Sequence, residues 1–278
     1  MPNEPSSAEE ITRASQSNLA FAFISLGKER RRDITIFYAY CRLIDDIADS
    51  TELPAEEKGR RLLVWRNALH RPVAAEPPLA AEVRGLTARY AITPAMLEEI
   101  MDGVEMDLTI ARYETFADLR QYCYRVASAV GLVSIEIFGY QNPACREYAI
   151  ELGLALQVTN ILRDVAKDFA NGRVYLPAED MARFDYREED LAAHRDDERF
   201  VRLMQFEAER AQAYFRKADA LLPREDRRSM IGARIMGSIY HALLHKMERD
   251  RFRVFQRDYR IGKPAKLWLA FRQLLPPR

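Results

Sequence analysis

Disulfides are the first thing this chain lacks. Its three cysteines, Cys41, Cys123 and Cys145, are odd in number and far apart, which excludes a disulfide-stapled secreted scaffold and fits a reduced compartment. All three read most simply as small buried apolar residues. Net charge is missing too. The 42 Lys and Arg balance 42 Asp and Glu, so nucleic acid, which normally selects a basic excess, is not an expected partner. No apolar run approaches the ~20 residues of a membrane-spanning helix. The opening MPNEPSSAEE has neither the basic flank nor the apolar core of a signal peptide. These absences point to a cytoplasmic protein. Gly-rich nucleotide loops of the GxGxxG or Walker type are absent as well, as are internal repeats.

With 11 glycines and 13 prolines in 278 residues, the chain is punctuated sparsely, and no stretch alternates like a strand. An all-α fold in one domain spanning 1–278 follows, with residues 1–9 as a leader. Helices are expected over Glu10–Leu26, Lys28–Asp49, Glu57–His70 and Leu79–Ala91, with Arg71–Pro78 as a linker. Thr93-Pro94 is a cap-and-proline start for a helix reaching about Arg112, and Asn142-Pro143 opens one that Gly172 stops. Between them Phe116–Gly139 reads as one helix, whose Ala127, Ser128, Ala129 and Gly131 either admit a neighbouring helix or leave room for a ligand. Ala182–Arg195 is a short helix plus loop, followed by Glu198–Leu221 and Glu225–Phe252. The end, LWLAFRQLL at Leu267–Leu275, is apolar and preceded by a basic segment. It suits either a packed terminal helix or peripheral contact with the inner face of an anionic membrane.

Two stretches carry chemistry. In Gln157–Pro177, QVTNILRDVAKDFANGRVYLP, helical spacing puts Gln157, Asn160, Asp164 and Asp168 on one stripe, while Val158, Ile161, Leu162, Val165 and Phe169 form an apolar flank. In Phe37–Asp49, FYAYCRLIDDIAD, Tyr38, Arg42, Asp45 and Asp49 share a face with Asp46 at its edge. Acids one turn apart are commonly a solvated face. Two such stripes beside apolar residues instead suggest an oxygen-rich site for a hard cation, Mg²⁺ first and Mn²⁺ as the alternative. Facing each other across a cavity, they could clamp ions that grip a diphosphate as it leaves. Asp107 is a further cavity acid or a solvated one. His241 and His245, one turn apart in HALLH, lack the glutamate of a zinc protease helix.

The pair FYAYCRLIDDIAD and QVTNILRDVAKDFANGRVYLP resembles the two signature regions of the squalene/phytoene synthase family, and the resemblance runs from about Ser15 to Leu267. It implies an isoprenoid-synthase-type helical bundle around a central cavity, joining two prenyl diphosphates head to head. On that resemblance Asp45, Asp46, Asp49, Asn160, Asp164 and Asp168 would hold Mg²⁺. Tyr38, Arg42, Gln157, Arg163, Arg173 and Tyr240 would contact substrate, and Tyr122 and Tyr175 would steer proton or cation. The second motif, NxxRDxxxD, departs from the paired DDxxD of head-to-tail enzymes and from terpene cyclases. IDDIAD and the compact length look most like bacterial enzymes that take two farnesyl diphosphates to presqualene diphosphate or a squalene-type C30 product. Phytoene formation from geranylgeranyl diphosphate is the first rival, and a non-catalytic binding or assembly protein of the same fold another. A nicotinamide donor such as NADPH is left open, no role is assigned to Ser15–Leu19, and a monomer or weak dimer is expected.

Overall fold

The protein is described by a computed structural model over Ala8 and residues 26–275; the expected helix Glu10–Leu26 and the Ser15–Leu19 stretch lie outside these residues, Leu26 apart. Twelve α-helices follow from residue 26 onward: α1 Lys28–Asp49, α2 Ala55–His70, α3 Ala80–Arg89, α4 Pro94–Thr109, α5 Phe116–Cys123, α6 Ala129–Phe138, α7 Ala144–Ala170, α8 Ala178–Arg183, α9 Glu188–Ala192, α10 Glu198–Leu221, α11 Ile231–Arg249 and α12 Lys263–Leu274. Among the described residues the only strand-like pairing is a single bridge, Arg112 to Val174. The fold is therefore all-α.

The punctuation signals work as sequence chemistry requires. Thr93 caps α4 by accepting from the Met96 N–H, with Pro94 at the first helical position. Thr115 and Asp118 form a reciprocal capping box at α5. Long-range contacts override local pattern elsewhere. The expected helix 225–252 begins only at Ile231, because buried Asp226 is held in a turn where it accepts the backbone N–H groups of Gln141 (2.8 Å) and Asn142 (2.9 Å). That carboxylate fixes the α6–α7 connection.

The expected helix 116–139 is interrupted by a π-helical turn, Tyr124–Ser128. Two glycines explain why it is held there. A Cβ on Gly103 of α4 would lie 2.7 Å from Arg125 Cβ, and one on Gly153 of α7 would lie 2.6 Å from Ser128 Cα. The turn is thus pressed between α4 and α7 at distances only glycine permits. Gly131 likewise meets the Ala149 carbonyl, and Ser128 donates to the Ile150 carbonyl at 2.7 Å. At Ser128 and Gly131 smallness serves helix approach. The extra residue in the turn also changes which side chains point inward, and Tyr122 and Val126 both reach the central cavity.

Helix α7 is the axis of the molecule. It packs against α5, the π turn, α6, α9, α11 and, most extensively, α10. Its buried side is Leu154, Ala155, Val158, Ile161, Leu162 and Val165. Helix α1 packs against α2, α3, α4 and α6. The intervening elements keep the two acidic helices apart, so their polar stripes face a gap.

Behind α7 a buried ionic cluster ties α8 to α10. Arg210 donates to Glu207 (2.7 Å) and to Asp180 (2.5 and 3.2 Å), and its guanidinium lies 4.1 Å from the Phe116 ring centroid. One cation serves two buried carboxylates. Desolvation, and secondarily Asp180, push the Glu207 carboxyl up to about 8 despite Arg210. The native state therefore holds a proton that the unfolded chain releases near pH 4.5, so this group's contribution to stability falls as pH rises between those values. Glu207→Gln, which keeps the uncharged shape, should raise the melting temperature at pH 9 and leave it nearly unchanged at pH 5. Equal shifts at both pH values, read by differential scanning calorimetry, would contradict this assignment.

Candidate active site

The gap between α1 and α7 is a cavity of about 360 Å³. Asp45, Ala48 and Asp49 line it from α1, Val104 and Asp107 from α4, and Tyr122 and Val126 from α5 and the π turn. Helix α7 contributes Gln157, Asn160, Ile161, Arg163, Asp164 and Asp168, and the segment after it Arg173 and Tyr175. The i, i+4 spacing of Asn160, Asp164 and Asp168 sets the α7 stripe along one wall. Asp45 and Asp49 do the same on α1.

Arg173 and Tyr175 arrive by a different route. Gly172 takes a positive φ of 79°, which ends α7. The exit segment is then pinned to the chain after α4: Val174 N–H donates to the Ala111 carbonyl (2.9 Å), and Arg112 donates to the Gly172 carbonyl (2.7 Å). Arg173 consequently reaches both Asp49 and the Asp107 carbonyl at 3.4 Å. It spans the cavity mouth between the first acidic helix and α4.

The carboxylates are crowded. Asp45 is exposed to the cavity, and desolvation by the surrounding walls, followed by Asp49, pushes its carboxyl up to about 7. Asp168 is pushed up to about 7 by desolvation and then by Asp164. Arg163 partly answers this by a double contact to Asp164, with Nε at 2.9 Å from Oδ1. Asn160 turns its amide N–H toward Gln157 (3.4 Å), and its Oδ1 is buried with no hydrogen-bond partner. An orphaned amide oxygen beside mutually repelling carboxylates is a donor set that fits a hard divalent cation. Among the described residues no three His, Cys, Asp or Glu side chains converge closely enough to enclose one ion unaided.

Deeper in the cavity lies a constellation that the sequence left half-read. Asp107 accepts from Tyr175 (Oδ1, 2.7 Å) and from Tyr122 (Oδ2, 2.9 Å), and the two hydroxyls are 3.3 Å apart. Their rings stack with centroids 5.1 Å apart, and Tyr113 stacks on Tyr175 at 6.0 Å. Burial raises the Asp107 carboxyl and both phenols above their ordinary ranges. The Tyr113 hydroxyl is buried and unpartnered. Asp107 is a cavity acid; the signal for it was Gly103, one turn earlier on the same helix, marking the face that meets the π turn. Tyr113 had no comparable signal.

Other residues named from the sequence lie at the margin. Arg42 and Asp46 pair with each other at 2.6 Å on the outward side of α1, and neither lines the cavity. Tyr38 is half-buried against the main core. Tyr240 of α11 reaches the Arg163 guanidinium rather than the cavity itself. His245 hydrogen-bonds Glu248 at 2.8 Å, and the His241 ring packs edge-on against Phe215.

The described residues thus form an all-helical body in which two helices present acidic stripes to one cavity. The squalene/phytoene synthase family model matches residues 12–265. The chain belongs to that family. It is 35% identical over 265 residues to the phytoene synthase of Mycobacterium tuberculosis, covering 94% of this chain and 87% of that protein. It is also 35% identical over 246 residues to the presqualene diphosphate synthase of Rhodopseudomonas palustris, covering 87% of each. Among solved structures it matches a dehydrosqualene synthase with a TM-score of 0.83 and 26% identity over 96% of this chain and 93% of that one.

Proposed function

We propose that this chain condenses two farnesyl diphosphates head to head, yielding presqualene diphosphate or a squalene-type C30 product and releasing diphosphate, with Mg²⁺ as its cofactor. The observation that carries this reading is the placement of Asp45 and Asp49 on one wall of a single cavity and of Asn160, Asp164 and Asp168 on the other. The farnesyl substrate is supported by the likeness to the presqualene diphosphate synthase of Rhodopseudomonas palustris and to a dehydrosqualene synthase structure.

These five residues would hold the cations, and diphosphate oxygens would complete the coordination that the side chains alone leave open. The chemistry supplied by Mg²⁺, when bound, is neutralisation of the charge that builds on the departing diphosphate. Arg173 gives up its long contacts to Asp49 and the Asp107 carbonyl for phosphate oxygens, a task its planar fork suits. Arg163, held by Asp164, adds a second cation on the α7 side. Ionisation breaks the C1–O bond of the first substrate, and the electron pair leaves with diphosphate. The double bond of the second substrate attacks the allylic cation, and loss of a proton closes a cyclopropane.

Tyr122 and Tyr175 would take that proton. Each already donates its own hydroxyl hydrogen to Asp107, so a lone pair of the phenol oxygen is left to accept from the substrate as the phenol proton passes to the carboxylate. Burial, which raises the Asp107 carboxyl, makes it the better acceptor. The rings of Tyr122 and Tyr175, which line the cavity, would shield a cation from water.

A second reading, phytoene synthesis from two geranylgeranyl diphosphates, is favoured by the equal identity to the mycobacterial phytoene synthase. Gas chromatography–mass spectrometry of phosphatase-treated reactions decides between them. Purified protein with Mg²⁺ is incubated with either substrate, with and without NADPH. A C30 product from farnesyl diphosphate is expected, and NADPH dependence reports how the last cation is quenched. A C40 product alone moves the protein to the second reading. Silence with both overturns the proposal.

A further inference from the structure

Helix α12 exposes an apolar face that the proposed chemistry does not use. Leu267, Trp268, Phe271, Leu274 and Leu275 are each 49–60% exposed. At the ~100° per residue of an α-helix they fall within an arc of about 120°. Trp268 and Phe271 stack on one another, with ring centroids 6.0 Å apart. The opposite side of the helix is satisfied: Leu269 and Ala270 pack with Ile231, Ile235 and Ile239 of α11. The outward residues are therefore not left over from a loosely docked helix. The charge within the segment has one sign, with Asp258 just before it 3.8 Å from Arg260. Arg260, Lys263, Lys266 and Arg272 lie between Tyr259 and Leu275 with no acid among them, in a chain whose total charge is zero. On the helical wheel Lys263 and Arg272 fall on opposite flanks of the apolar arc.

We infer that α12 is a peripheral docking helix for an anionic lipid surface, lying in the interface with Trp268, Phe271 and the leucines below the headgroups and Lys263 and Arg272 against lipid phosphates. An aromatic and aliphatic face rimmed by cations is the pattern of interfacial helices, and basic residues at an anionic leaflet each add attraction that salt screens. A second copy of the chain fits less well. Two such faces would bring like cations together, and one face of a 12-residue helix falls short of the ~800 Å² per partner of a standard interface. Among the described residues no helix is long and apolar enough to cross a membrane, so attachment at this face is to the surface. The inference does not depend on which prenyl diphosphate is the substrate. Its site is one helix removed from the cavity, since α12 packs on α11, whose Tyr240 touches Arg163.

The test is co-sedimentation of the full chain with vesicles of phosphatidylcholine alone or mixed with phosphatidylglycerol. The protein should pellet with the mixed vesicles and be released at high salt. Trp268 emission should shift to the blue while buried Trp65, 3% exposed, stays unchanged. The double variant Trp268→Ser/Phe271→Ser should lower the bound fraction about tenfold with unaltered circular dichroism, because both side chains project outward. Lys263→Glu/Arg272→Glu should weaken binding to the mixed vesicles as well. The inference fails if the wild-type chain ignores both vesicle types, or if either double variant binds as well as wild type. It also fails if the protein shows, in place of lipid binding, a concentration-dependent dimer that Trp268→Ser/Phe271→Ser dissolves.

Discussion

Asp164→Asn and Asp45→Asn are each expected to lower kcat by about a thousandfold or more, roughly 4 kcal/mol of transition-state stabilisation, while leaving the fold intact. Asn has nearly the size of Asp, and neither residue holds helices together. Asp164 is met only by its neighbour Arg163, and Asp45 faces the open cavity. What the substitution removes is charge at the wall where the proposed cation would sit. Removing one carboxylate from a crowded group also relieves repulsion, so thermal stability in the absence of metal should stay level or rise slightly. Rates measured by release of diphosphate, paired with melting curves, separate the two effects. Undiminished turnover in both variants would sink the metal assignment.

Gly153→Ala is expected to be the most damaging small substitution outside the cavity. Its Cβ would lie 2.6 Å from Ser128 Cα and 2.7 Å from Ser128 N, and these are backbone atoms that no rotamer change can move. Helix α7 and the π turn must separate, at a cost of about 2–3 kcal/mol or ~3–5 °C in melting temperature for a chain of this size. Activity should fall as well, because the turn follows directly on Tyr122. Gly59→Ala is the matched control: that glycine is exposed on α2 with nothing within 4 Å of a new Cβ, and alanine there should be neutral or stabilising by ~0.5–1 kcal/mol. Calorimetry showing equal melting temperatures for the two variants would contradict the packing account.

These two cases mark what local sequence could and could not reveal. The acidic stripes were legible because a helix repeats every three to four residues, so Asn160, Asp164 and Asp168 declare a shared face without reference to the rest of the chain. Thr93-Pro94 was legible for the same local reason. The π turn was not, since it is held by Gly103 and Gly153, each well separated from it along the chain. Asp107 was ambiguous because its partners, Tyr122 and Tyr175, are 15 and 68 residues away. Arg173 was identified through the motif, yet its reach across the cavity depends on the bridge from Arg112 to Val174, which no spacing rule foretells. Asp226 broke an expected helix because its carboxylate serves a loop 84 and 85 residues earlier. Hydrogen bonds that close over such distances are set by the tertiary fold, and a helical pattern is silent about them.

The most direct test of the account is calorimetric titration of the protein with a thiolodiphosphate analogue of farnesyl diphosphate, with Mg²⁺ present and again after chelation. Binding that requires the cation, weakens at least about tenfold in its absence and loses that cation dependence in Asp164→Asn is the predicted result. Affinity that is equal with Mg²⁺ and with chelator would mean that the two acidic walls do not grip diphosphate through metal.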